Sequence, residues 1–235
     1  MAGTRAPLSV LGAWFAFCLG CWSPRLAMSS PLVSRAELCV TEGAVEELPG
    51  TRLSVGTAKM RAYLNRSTQQ SIAARVTYVG PTATDVPLAS GELRRQFGFK
   101  LRALDACNLV YVMWRIEPAP RLVVSVKTNP GQSASSECGN RGYRNLKPQH
   151  AAAIVDLRPG ATHTLRAQMN ADDLRVFIDE AIVWQGSLGR DAAGLQGPVG
   201  IRSDNMRLVM ELRAGEGRGT ASQAATCHSE ADAAE

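Results

Sequence analysis

The chain has 235 residues, with 26 Lys+Arg, 21 Asp+Glu and 3 His, a formal charge of +5; hydrophobic residues make up 45%, aromatic residues 6% and charged residues 20%. This composition excludes collagen, coiled coil, a multi-span membrane protein and wholesale disorder, and the length suits one domain of about 150–200 residues with flanking segments. The basic excess is almost all arginine, 22 Arg against 4 Lys, and it is scattered, Arg94–Arg95 being the longest basic run. Phosphate binding needs concentrated charge, so nucleic acid is not an expected partner.

The N-terminus begins with Arg5 and then a stretch of about a dozen apolar residues, Leu8–Leu19 (LSVLGAWFAFCL). That is short for a ~30 Å hydrocarbon core and suits the apolar region of a signal peptide, so residues 1–21 are read as an export signal. Leu19-Gly20-Cys21 matches the end of a bacterial lipobox, although Cys18 stands where Leu is usual and Leu19 is bulky for its position. Cys21 is therefore a candidate lipidation site; ordinary cleavage between Cys21 and Ala27, with free secretion, is the alternative. Residues 22–35, with Ser, Pro and Arg, read as a linker. No later segment carries 18 apolar residues in a row, so membrane contact is expected only through a lipid on Cys21. The expected localisation is exported, either secreted or anchored to the cell envelope.

Cysteine usage agrees with export. Cys39, Cys107, Cys138 and Cys227 follow the signal, and an even count in an oxidising compartment favours two disulfides. The preferred pairing is Cys107 with Cys138, because Cys138 sits in a loop that needs pinning; Cys39 and Cys227 would then join the two ends of the domain. Among these four cysteines no C-x2-C and no Cys/His pair at ligand spacing occurs, so neither metal nor cofactor is expected.

From residue 36 to residue 214 the chain reads as strands. Lys59–Asn65 alternates polar and apolar residues, and Ser71–Val79 is β-branched and stops at Gly80-Pro81. Within Leu93–Leu104, Arg95, Phe97, Phe99, Leu101 and Ala103 take one face and Arg94, Gln96, Lys100 and Arg102 the other. Asn108–Ile116 is the most apolar run and reads as a central strand. Arg121–Lys127 alternates again and ends at Asn129-Pro130-Gly131. Thr164–Met169, Leu174–Asp179, Ile182–Gln185, Val199–Arg202 and Leu208–Leu212 complete the set. Period-two runs punctuated by Gly, Pro, Asn and Asp predict an all-β domain of two packed antiparallel sheets, a sandwich or jelly roll, with at most short helical turns such as one near Ala151–Ala153. Gly131–Pro148 is a long Gly/Ser/Asn-rich loop, and residues 215–235 form a polar tail expected to be flexible apart from Cys227.

The run His163-Thr164-Leu165-Arg166-Ala167, then Leu174–Asp179, Ile182-Val183-Trp184 and Gly197-Pro198-Val199-Gly200-Ile201-Arg202-Ser203, resembles the closing strands of concanavalin A-like lectin/glucanase domains, including laminin G-like ones. The segment from Phe99 to Ile116 and Leu122–Gly131 resembles their middle strands. The resemblance covers most of residues 36–213 and concerns fold. It implies an all-β, two-sheet antiparallel β-sandwich, a concanavalin A-like jelly roll, with a curved and often ligand-binding face. Glu180-Ala181 replaces the usual Asp-Gly or Asn-Gly turn, so the hairpin there is expected to turn differently.

Glucanases of this superfamily carry paired glutamates on one strand, as E-x-D-x-x-E or E-x-D-x-E, which alternation brings to one face for acid and nucleophile work. No such run occurs within the strand region, residues 36–214. Glu46-Glu47 reads as loop, Asp172-Asp173 as a hairpin turn, and Asp204-Asn205 as a turn rather than a calcium site. His150, His163 and His228 are far apart, and no H-E-x-x-H, G-x-S-x-G or P-loop occurs. The favoured binding surface is a strand face: Tyr111 and Arg115 from the central strand, Ser125 and Lys127 from the next, and Lys100 and Arg102 from the one before. If these strands are neighbours, an aromatic ring lies among several cations, which suits sugars, and uronic or sulfated units in particular. The leading reading is an exported, lectin-like, non-catalytic binding module for carbohydrate or a cell-surface protein. A glycan-active hydrolase with carboxylates gathered from separate strands, or a structural envelope lipoprotein, are the alternatives.

Overall fold

A computed structural model describes residues 30–65, 69–216 and 227. The signal, the lipidation candidate Cys21, most of the linker and most of the C-terminal tail lie outside the described residues. After a 3-10 turn at Arg35–Glu37 come β1 (Leu38–Glu42), β2 (Glu46–Leu48), β3 (Arg52–Val55), β4 (Lys59–Leu64), β5 (Gln69–Pro81), β6 (Arg95–Leu101), β7 (Leu109–Glu117) and β8 (Arg121–Lys127). A single helical turn, α1 (Ser135–Cys138), leads to β9 (Tyr143–Asn145) and β10 (His150–Ala151). Then follow β11 (Thr162–Asn170), β12 (Asp173–Ile178), β13 (Ala181–Ser187), a 3-10 turn at Arg190–Ala192, β14 (Gly200–Asp204) and β15 (Met206–Glu216).

The strands form two antiparallel sheets, a seven-stranded one in the order β1-β4-β14-β6-β7-β8-β9 and an eight-stranded one in the order β10-β13-β12-β11-β5-β15-β3-β2. Side chains alternate across a strand, so each amphipathic run commits one face to the space between the sheets. Met60, Ala62 and Leu64, Phe97, Phe99 and Leu101, and Val110, Val112 and Trp114 come from the seven-stranded sheet. They meet Ile72, Ala74 and Val76, Leu165 and Ala167, Val176 and Ile178, and Leu208, Met210 and Leu212 from the other sheet in one continuous core. Each large apolar side chain buried this way contributes about 1.5–3 kcal/mol, so this layer is the main source of stability. Trp114 and Trp184 both belong to it.

The alternating runs became β4 to β8, β11 to β15, with ends shifted by a few residues. The short strands β1, β2, β3, β9 and β10 have too few residues for a periodic signal. Glu46-Glu47 is therefore strand rather than loop, and His150–Ala151 pairs with Gln185 and Trp184 where a helical turn was expected. The sandwich also takes in the end of the linker: Val33 is fully buried and its amide donates to the Leu212 carbonyl at 2.8 Å.

The hairpin between β12 and β13 corrects one expectation. The turn is Asp179-Glu180, with φ of 48° and 69°, and Ile178 pairs directly with Ala181. Positive φ at both central residues is the tight two-residue hairpin geometry that Asp-Gly usually supplies. Asp179 holds it without glycine: its carboxylate accepts from the Thr164 amide at 2.8 Å and lies 2.5 Å from His163 Nδ1.

Disulfides join Cys107 to Cys138 and Cys39 to Cys227, with Cα separations of 5.9 and 5.3 Å. The first anchors the long Gly131–Pro148 loop. The loop is further held by Asn129, whose side-chain amide donates to the carbonyls of Cys107 and Arg141, and by Asn108, which donates to Gln132. This loop folds as α1 and β9, and β9 extends the seven-stranded sheet beside β8.

Candidate functional site

The strands β6, β7 and β8 are neighbours, so the outward half of their alternation forms one face. Register aligns it in cross-strand rows. One row reads Tyr63, Gly200, Lys100, Tyr111, Ser125, Asn145; the next reads Arg61, Arg202, Gly98, Met113, Val123; the third reads Lys59, Asp204, Gln96, Arg115, Arg121. A β-carbon at Gly98 would fall 1.9 Å from the Val112 carbonyl oxygen, and one at Gly200 2.1 Å from that of Ala62. Both positions therefore exclude any side chain, which leaves room for the long side chains beside them.

This face is charged yet buried. Lys100 is 4% exposed, Arg115 3% and Arg202 8%. At the centre is Asp204, which accepts from Arg61 Nη2 at 2.5 Å, Gln96 Nε2 at 2.7 Å and Arg202 Nε at 2.9 Å. Burial by itself would raise the Asp204 carboxyl, but Arg202 and Arg61 beside it and the Gln96 hydrogen bond hold it well below the usual carboxylate range. Burial likewise works against the charge on Arg202, and Asp204 more than restores it. The Arg202 guanidinium lies 4.9 Å from the centre of the Tyr111 ring. Asp204 is thus a structural acid satisfied by protein donors rather than a calcium ligand, and Asn205 (φ 57°) turns the chain into β15.

Tyr111 itself is buried, and burial raises its phenol above the ordinary value. The Tyr143 ring stacks on it, 5.9 Å between centres and 23° from parallel, and Tyr143 is 42% exposed. The aromatic ring offered to solvent on this face is therefore Tyr143, delivered by β9 from the long loop. Half-buried Tyr63 lies at the other end of the same part of the sheet, with Lys100 Nζ 5.6 Å from its ring centre.

Of the residues expected to form a site, the structure brings together Lys100, Tyr111, Ser125 and Arg115. Lys127 is at the end of this face, its ammonium 5.1 Å from the centre of the Tyr143 ring, and it also serves the disulfide loop. Its ammonium donates to Gly139 O at 2.9 Å and Ala106 O at 3.3 Å and sits 3.1 Å from Cys138 Sγ. Arg102 does not join the group. Its backbone turns at φ 49°, and its guanidinium crosses to the other sheet to meet Asp172 at 3.1 Å, Ala171 O at 2.5 Å and Ala192 O at 2.9 Å. The departure is physical: β6 ends at Leu101, so alternation stops applying one residue before Arg102.

Arg115 is in a different state from Arg202. Its Nε and Nη1 are buried with no hydrogen-bond partner among the described residues, and the Glu92 carboxylate is 3.7 Å away, an ion pair beyond hydrogen-bond range. Burial, with Arg94 and Arg121 nearby, pushes its pKa down to about 10. Arg202, Arg61 and Tyr143 were not expected at the site, and Asp204, read from the sequence as part of a turn, is the last residue of β14. The signal for Arg202 and Asp204 was present: two residues apart on one strand, they share a face.

A hollow of about 400 Å3 opens between β8 and β13, with Leu122, Leu146, Ala152, Ile154 and Trp184 among its walls. Its lining is largely apolar. Among the described residues, no group of three or more His, Cys, Asp or Glu is arranged to hold a metal ion, and no helix is long and apolar enough to cross a membrane.

No family model and no curated protein matches the chain. Solved structures do. A carbohydrate-binding module, CBM66 from Bacillus subtilis, aligns with a TM-score of 0.51 at 10% identity, over 79% of this chain and 98% of that one. The carbohydrate recognition domain of Emp46p aligns with a TM-score of 0.48 at 12% identity, over 77% and 89%. The Crh5 transglycosylase aligns with a TM-score of 0.48 at 13% identity, over 82% and 86%. At such identities the likeness concerns architecture, and the first of these carries it: the chain shares the fold of that module, a two-sheet antiparallel β-sandwich.

Proposed function

We propose that this chain is an exported, non-catalytic carbohydrate-binding module that takes its ligand on the outer face of the seven-stranded sheet. The observation that carries the reading is the Tyr143 ring, exposed and stacked on Tyr111, beside a row of polar groups at Lys100, Ser125 and Asn145. A sugar ring packs its C–H face on an aromatic ring while its hydroxyls reach fixed donors and acceptors around it. The shared fold with a carbohydrate-binding module supports the same reading. Export is supported by two disulfides, which persist in oxidising compartments, and by the N-terminal signal pattern. Anchoring through a lipid on Cys21 is the envelope-bound form of this proposal.

The test is affinity electrophoresis of the mature chain through gels cast with a panel of soluble polysaccharides. Retardation by at least one polymer is expected, and Tyr143→Ala is expected to weaken it by about tenfold, the scale of a lost aromatic contact. Free migration in every gel, or a Tyr143→Ala protein that binds as tightly as the parent, overturns the proposal.

A further inference from the structure

The outer face contains two groups of arginines, one closely paired with its acid and one that shares a single carboxylate, 3.7 Å from its most buried member. Arg61 and Arg202 share Asp204. Arg115 lies opposite Arg121 on β8, with Arg94 close by, and the only acid of the group is Glu92. Glu92 is already engaged, since Arg94 donates to the same carboxylate. Three guanidinium groups therefore face one carboxylate, and the most deeply buried of them keeps two unpartnered N–H groups. The Gln96 amide oxygen beside it on β6 also lacks a donor. Arg115 forms the floor of this group. Its rim reaches water: Arg121 is exposed, and the side chains of Arg94 and Glu92 are 26% and 37% exposed.

A buried guanidinium with unsatisfied donors and only a shared, distant counter-charge is costly unless something else completes it. The Nε–H and Nη1–H of Arg115 each remain able to donate to an anionic oxygen, and a nearby Gln96 oxygen accepts from an adjoining hydroxyl. We infer that the Arg94–Arg115–Arg121 group binds an anionic substituent of the ligand, a uronate carboxylate or a sulfate ester, so that the module is specific for acidic polysaccharide. This rests on the carbohydrate reading above and adds the ligand's charge to it.

The experiment compares paired polymers on the mature protein: polygalacturonate against its carboxyl-reduced form, and dextran sulfate against dextran. The parent is expected to bind at least one acidic member about tenfold or more tightly than its neutral partner, with the preference falling as salt rises. The two pairs distinguish carboxylate from sulfate. Arg115→Gln is expected to collapse that preference, Arg115→Lys to restore part of it, and Glu92→Gln, a change at the rim, to increase it several-fold. Thermal unfolding of each variant establishes that it is folded. Equal binding to acidic and neutral partners overturns this inference and leaves carbohydrate binding standing. Binding of poly-glutamate as tight as that of the acidic polymers also overturns it, since the site would then recognise charge on a peptide. Binding to none of the polymers removes both readings.

Discussion

On one face of one sheet, Arg202 and Arg115 stand two strands apart, both nearly inaccessible and both cationic. Arg202 has Asp204 at 2.9 Å, and that acid also collects Arg61 and Gln96. Arg115 has only a shared carboxylate at 3.7 Å. Burial penalises the charge of both, but its net result is opposite: the partner raises the Arg202 pKa, and the neighbours lower that of Arg115. Burial and charge alone do not identify a binding site. Completeness of the partner set separates a group that holds the sheet together from one that waits for a ligand.

The largest expected effect falls on the completed group. Asp204→Ala leaves Arg61 and Arg202 buried without their acid and is expected to cost about 3–5 kcal/mol, read as a shift of the denaturant midpoint. A loss below about 1 kcal/mol would show that water already serves these arginines, and the contrast with Arg115 would disappear.

Acid titrates the same group. Folding depresses the Asp204 carboxyl from 3.8 to about 2, so the folded state binds fewer protons there than the unfolded chain. Its contribution is complete above about pH 4 and drains away as pH falls towards 2, roughly 2 kcal/mol in all. Unfolding free energy measured from pH 5 to pH 2 is expected to show this fall in the parent and to lack it in Asp204→Asn.

Arg102 sharpens the comparison from another side, because it is a satisfied cation away from the face. Arg102→Ala removes its bonds to Asp172, Ala171 and Ala192 and is expected to cost about 1–2 kcal/mol in urea unfolding. Polysaccharide binding is expected to stay at the parental level; a tenfold loss would return Arg102 to the site.

The smallest effect on stability is expected at Arg115. Arg115→Met replaces an incompletely paired buried charge by an apolar chain of similar length, and stability is expected to change by less than about 1 kcal/mol or to rise. A loss of about 3 kcal/mol in the same measurement would place Arg115 with Arg202 as part of the framework.

Much of this architecture is legible in the sequence. The alternation in Lys59–Leu64, Leu109–Glu117 and Arg121–Lys127 identified the core face residue by residue, because period two is a local property of an extended chain. The loop around Cys138 announced itself by length and composition. The candidate site was legible only in part. Lys100, Tyr111, Ser125 and Arg115 follow from alternation plus adjacency of three strands. Arg61 and Arg202 do not, since β4 and β14 reach this face from positions about 140 residues apart in the chain.

The sequence by itself determined the fold class, the inward and outward residues of each long strand, and a cysteine set able to close two loops, all of which follow from nearest-neighbour geometry and composition. Tertiary structure alone decided which outward residues meet. It put Tyr143 over Tyr111, drew Arg102 across to the opposite sheet, brought Arg61 and Gln96 onto Asp204 and left Arg115 with a shared carboxylate at 3.7 Å. Those outcomes depend on strand order and register between distant segments, and Coulomb and hydrogen-bond energies act over a few ångströms in space, not along the chain.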